Sequence, residues 1–192
     1  MEQRDARRVP ATSTTCSTGH DGVARVAVPT PVNDVILFHD ALLGELRDLY
    51  GANTHLHTAL TLMATGPHAP AVRVLIVCAR RESSTQLWRL ERIFGYLGED
   101  IGRRHCLGMA RILDGRDTAT GRTRSDASIA ATVLGAAHFL SAVYATAAAR
   151  ARALGYSEVA SQLDECVTDA ASLSRRVSRL GTTVDGAAAA RV

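Results

Sequence analysis

Between Asp34 and Met63, apolar residues recur about every 3.5 positions, which places them on one face of a helix of about eight turns. Such a face has to be buried against other helices. Its members are Leu42, Leu46, Leu49, Leu56, Leu60 and Met63. An amide, Asn53, lies in the middle of this apolar face. A polar side chain at that position needs a hydrogen-bond partner or a ligand.

Three further long segments show the same helical spacing. The second segment begins at Pro70, a residue that suits the first turn of a helix, and ends at Gly98. Ser125 or Asp126 can cap the third segment by accepting free backbone N–H groups. The four predicted helices cover residues 34–65, 70–98, 126–155 and 157–181.

The lengths of the links determine how these helices are connected. Short links join the first helix to the second and the third to the fourth, so each pair forms an antiparallel hairpin. Residues 98–125 are long enough to cross the bundle and include a short predicted helix over 104–113. The sequence therefore predicts an all-α, ferritin-like four-helix bundle over 32–181. We expect a flexible N-terminal arm over 1–31 and a disordered tail over 182–192.

Composition argues against several functions. The net charge of +3 is dispersed along the chain, so we expect no nucleic-acid partner. The four cysteines are too far apart for a zinc or redox motif. We expect no stretch apolar enough to span a membrane, and the Arg7-Arg8 pair is not followed by the apolar run of an export signal. These features predict a cytoplasmic protein without a membrane partner.

Several short motifs, in order and over residues 34–180, resemble the YciE/YciF family of bacterial ferritin-like proteins. They are Glu45-Leu46-Arg47-Asp48-Leu49-Tyr50-Gly51-Ala52, Arg89-Leu90-Glu91-Arg92-Ile93-Phe94 with Leu97-Gly98, Cys106 with Met109, Ala153-Leu154-Gly155, and Leu163-Asp164-Glu165. The resemblance implies a self-associating bundle linked to bacterial stress responses. It also implies a dinuclear metal site, in which Glu and His side chains from four helices bind two cations.

At six of the positions that the resemblance assigns to metal ligands, this sequence has neither a carboxylate nor an imidazole. These positions are Asn53, Ala79, Ala137, Leu140, Cys166 and Ala170. Iron and manganese require carboxylate and imidazole ligands, which one amide and one thiol do not replace. We therefore expect no dinuclear metal and no cofactor, and a degenerate bundle that acts by binding or assembly.

A first alternative is an enzyme or carrier in which the vacated positions leave a pocket for a small organic ligand. Its lining would be Asn53, Tyr50, Ala79, Gln86, Ala137, Leu140, Tyr144, Cys166 and Ala170. The simpler interpretation is that Asn53 and Gln86 bond one another across the helices. We interpret Cys166 as an inert packing thiol whose pKa is raised by its apolar surroundings.

A second alternative is a metal-dependent oxidase with shifted ligands. The candidate ligands are Glu82, His138, Glu165 and Asp169. We favour the interpretation that these acids are solvated or paired with arginine, for instance Glu82 with Arg81 or Arg89.

Two further groups of residues are interpreted as surface features. Four histidines could suggest a ligand cluster: His55, His57, His68 and His105. We assign them surface or loop roles, because His55 and His57 are two residues apart and face different sides of the helix. We expect a homodimer or higher homo-oligomer, because several apolar residues lie outside the inward faces and need cover. These residues are Ile36, Leu37, Leu43 and Val74.

Overall fold

The computed structural model describes residues 32–102, 105–114 and 124–189, with side chains described from 35 to 180 outside the two internal gaps. This part of the chain is all-α, as predicted. It contains the helices α1 (Val32–Met63), α2 (Pro70–Leu97), α3 (Leu107–Asp114), α4 (Asp126–Ala153) and α5 (Ser157–Ala189). The predicted arm over 1–31 lies outside the described residues.

The end of α5 differs from the sequence-based expectation. We expected this helix to stop at Gly181, whereas it continues to Ala189. A glycine inside a helix costs only about 1 kcal/mol relative to alanine, and the residues that follow include a run of alanines with high helix propensity. A single glycine without a following proline is therefore a weak stop signal. Residues 190–192 lie outside the described residues.

The four long helices form a ring around one core. Helix α1 packs against α2 and α4, and α5 packs against α4 and α2, with the most extensive contact between α4 and α5. The short links 64–69 and 154–156 close two hairpins, while the long link 98–125 carries α3 across α1 and α4. This is the predicted ferritin-like arrangement of two hairpins joined by a crossover.

Local sequence signals account for both ends of α2 and for the start of α4. Pro70 occupies the first turn of α2, and Gly98 ends this helix with a positive φ of 70°, a conformation that glycine adopts without strain. Ser125 caps α4 by accepting a hydrogen bond from the backbone N–H of Ser128. At Gly108, a Cβ atom would lie 2.9 Å from the ring of Phe139, so glycine permits α3 to approach α4 closely.

Helix α4 is more apolar than we expected. Residues 127–149 contain no Asp, Glu, Lys or Arg, and an 18-residue window of α4 has a mean hydropathy of 1.5. By length and composition alone this helix could cross a membrane, so the expectation that no stretch reaches this limit was wrong. In the bundle, residues such as Ala137, Leu140 and Ala147 are buried. A core helix of this kind needs few charged residues.

Candidate functional site

The positions that lack metal ligands lie inside the bundle. They come from α1, α2, α4 and α5, and each side chain is at most 2% exposed. These side chains are Asn53, Ala79, Ala137, Leu140, Cys166 and Ala170. Tyr144 and Gln86, on α4 and α2, are buried as well, whereas Tyr50 is only partly buried and donates to Glu91.

A hydrogen-bonded network links the polar groups of this centre. The Asn53 amide Nδ2 donates to the Leu49 carbonyl at 2.9 Å and to the Tyr144 hydroxyl at 2.8 Å. The Tyr144 hydroxyl in turn donates to Gln86 Oε1 at 3.4 Å. Ser83 donates to the Asn53 carbonyl at 3.0 Å. The phenol of Tyr144 thus connects Asn53 and Gln86, which we had expected to bond each other directly.

The groups closest to this network are neutral. Burial raises the pKa of Tyr144 well above its ordinary value. Burial also raises the pKa of the Cys166 thiol to about 11, although the nearby Arg89 guanidinium lowers it. Both groups therefore keep their protons at pH 7. A protonated phenol, a protonated thiol and an amide supply no anionic ligand for a metal ion.

The acidic residues near the centre have other partners. The Arg89 guanidinium contacts Asp169 Oδ2 at 2.5 Å and Glu165 Oε2 at 3.2 Å. Burial, together with repulsion from Asp169, raises the pKa of Glu82 to about 7. Gln86 Nε2 lies 3.5 Å from Glu82 Oε1. Arg89 therefore neutralises two of the acids that we considered as shifted ligands.

His138, the remaining candidate among the shifted ligands, faces elsewhere. It is exposed, and its Nε2 atom lies 3.2 Å from the hydroxyl of Ser174. Among the described residues, no three or more His, Cys, Asp and Glu side chains are grouped so that they could hold a metal ion. The donor atoms present do not fit a dinuclear centre, and the metal content of the protein stays a prediction.

Four cavities on the described residues have volumes of about 310 to 500 Å³. None of these four is lined by Asn53, Gln86 or Tyr144. The carboxamide oxygen of Asn53 is buried without a hydrogen-bond partner among the described residues. A pocket for an organic ligand at the centre therefore stays a prediction.

Two hairpins joined by a crossover that carries a short helix define a ferritin-like four-helix bundle. The chain belongs to the family described as Domain of unknown function (DUF892), which matches residues 37–189. This confirms the family resemblance that the short motifs indicated. No curated protein sequence matches the chain.

Solved structures agree with this fold. The E. coli stress protein YciF is 22% identical, with a TM-score of 0.69, over 74% of this chain and 93% of YciF. YcfI from Rhodopseudomonas palustris is 23% identical, with a TM-score of 0.69, over 78% of this chain and 98% of YcfI. A protein from Xanthomonas campestris pv. campestris is 17% identical, with a TM-score of 0.63, over 80% and 97% of the two chains.

Proposed function

We propose that this protein is a ferritin-like bundle without a dinuclear metal, which acts through self-assembly and not through iron oxidation. The observation that carries the proposal is the buried phenol of Tyr144, which bonds Asn53 and Gln86 at the centre of the bundle. Hydrogen bonds between neutral groups connect α1, α2 and α4 there. The pairing of Arg89 with Asp169 and Glu165 supports the same conclusion, because it uses acids that a cation would need.

The outward face of α2 supports the assembly part of the proposal. Steps of three and four residues connect its positions Val74, Val77, Arg81, Ser84, Trp88, Glu91 and Gly95. This spacing is typical of a coiled-coil seam. We call these positions the α2 seam. Val74, Val77 and Trp88 are 63%, 56% and 54% exposed, so the single chain leaves them uncovered.

Three of the four apolar residues that we expected to need cover are exposed, and the fourth is buried. Ile36, Leu37 and Val74 are exposed as expected, at 56%, 73% and 63%. Leu43 is only 5% exposed and belongs to the core. It follows Leu42 on α1, and the buried face of this helix is wide enough to include both neighbours.

A second copy of this chain, with its α2 antiparallel, is the occupant that best fits the α2 seam. With a twofold axis near residues 82 and 83, Trp88 lies opposite Val77 of the second copy, and Arg81 opposite the small Ser84. The same alignment places Glu91 opposite Val74 of the second copy. A contact of this kind is repeated by the twofold axis and closes as a dimer.

Sedimentation-velocity measurements of the full chain and two variants test this proposal. We expect a dimer for the wild type and a monomer for Val77→Glu, because a carboxylate in the seam would be desolvated. Leu107→Glu is the matched control, since Leu107 is 69% exposed and lies on α3. A monomeric wild type, or a Val77→Glu variant as dimeric as the control, would contradict the proposal.

We extend a stress-related role to this chain because its fold resembles that of the E. coli stress protein YciF. The measurement is the amount of this protein in its native host before and after osmotic or oxidative stress. We expect the amount of this protein to rise under stress. An unchanged amount under both conditions would contradict a stress-related role.

A further inference from the structure

Two histidines from different parts of the chain meet on the outside of α1. The ring centroids of His55 and His105 are 4.4 Å apart, and the ring planes are inclined by 58°. His55 is held by α1. His105 directly precedes Cys106, which is 7% exposed, and the fully buried Met109 anchors the same segment to the core. Both histidines are therefore attached to fixed backbone.

The hydrogen bonding of His55 suits a metal ligand. Its Nδ1 atom is buried and has no hydrogen-bond partner among the described residues. In a neutral imidazole, one of the two ring nitrogens carries a lone pair that can bind a cation. His57, two residues further on, instead lies 3.2 Å from the Ser84 hydroxyl through its Nδ1 atom.

A cavity of about 500 Å³ adjoins His105. Its lining includes His105, Cys106, Gly108 and Phe139, from the segment around α3 and from α4. This is the largest of the four cavities described above. It offers a path from solvent and room for water molecules that would complete a coordination shell.

We propose that His55 and His105 together bind one borderline divalent cation, with Zn²⁺ as the best fit. Imidazole nitrogen is a preferred ligand of zinc, whose shell accepts water beside protein ligands. The site lies apart from the six vacated positions and does not depend on the proposed assembly. With only two protein ligands, and with His105 at the edge of the cavity, the cation is exchangeable.

The test is a calorimetric titration of the tag-free full chain with Zn²⁺ at pH 7.5. We expect one equivalent for the wild type and about tenfold or greater loss of affinity in His105→Ala and in His55→Ala. His57→Ala, on the same helix, is the matched control and should bind as the wild type does. Because His105 is exposed, we expect His105→Ala to keep the fold even where His55→Ala is destabilised. Circular dichroism checks the fold of both variants.

Two results would contradict the proposed zinc site. One is a wild type that takes up no zinc. The other is a His105→Ala variant that binds zinc as tightly as His57→Ala. A cation held at the centre of the bundle would be unaffected by His105→Ala, so the titration separates failure of this site from failure of the proposed metal-free centre.

Discussion

The amide of Asn53 on α1 donates a 2.8 Å hydrogen bond to the phenol of Tyr144 on α4, and both side chains are fully buried. The family resemblance implies a metal-binding carboxylate at position 53. Here a neutral pair spans the distance between the two helices. Since buried hydrogen bonds stabilise only while both partners are present, this pair is the most direct place to test how the centre is held together.

Tyr144→Phe removes the hydroxyl and leaves the ring in place. It deprives Gln86 Oε1 of its donor and leaves Asn53 bonded only to Leu49 through Nδ2. We expect a loss of about 1–3 kcal/mol in the free energy of unfolding, measured by urea denaturation. Tyr50→Phe is the control, because its bond to Glu91 is exposed and its loss should cost less. Equal effects of the two substitutions would argue against a structural role for the central network.

The raised pKa of Glu82 predicts that the stability of the protein depends on pH. Its pKa is raised to about 7 in the folded protein, so between its ordinary value and 7 the folded state holds a proton that the unfolded chain releases. Stability therefore falls as pH rises from about 5 to about 8. Glu82→Gln should remove this slope and stabilise the protein at pH 8 by about 1 kcal/mol, after allowance for solvent screening.

The control for this prediction is Glu158→Gln, since Glu158 is an exposed acid at the start of α5. Thermal unfolding from pH 5 to pH 8 compares both variants with the wild type. A slope that persists in Glu82→Gln would show that another group causes it, or that the carboxylate is more solvated than the structure indicates.

The side chain of His68, in the link between α1 and α2, makes a second set of stabilising contacts. One ring nitrogen lies 2.8 Å from Asp126 Oδ1 and the other 2.7 Å from the Met63 carbonyl. The ring thus connects the end of α1 to the start of α4. His68→Ala should cost about 1–3 kcal/mol of stability, because it removes both contacts of a ring whose side chain is only 6% exposed. His57→Ala, at a more exposed histidine with a single side-chain partner, should cost clearly less.

Much of this fold could be predicted from the sequence, because the determining signals are local. Pro70 and Gly98 mark the ends of α2, and Ser125 caps α4, as expected from their backbone preferences. The lengths of the links then allowed one topology. The end of α5 was missed because glycine is only a modest helix breaker. The expectation that no segment is apolar enough to span a membrane failed because a core helix and a spanning helix have similar compositions.

The side-chain pairings of the site were less predictable. Tyr144 and Gln86 were expected near Asn53, but their order in the network depends on how each helix is rotated about its axis. The contact between His55 and His105 depends on the path of the crossover, which has no regular period. The pairing of Arg89 with Asp169 joins residues 80 positions apart. Such contacts follow from packing between elements and leave no local signal.

The central claim concerns the metal content of the bundle. The direct measurement is iron per chain by plasma mass spectrometry, on tag-free His105→Ala protein that has been incubated anaerobically with ferrous iron and desalted. This variant removes one ligand of the proposed zinc site, so that iron retained at the centre can be counted separately. We predict that desalting leaves no iron bound, whereas two tightly held equivalents per chain would contradict the account.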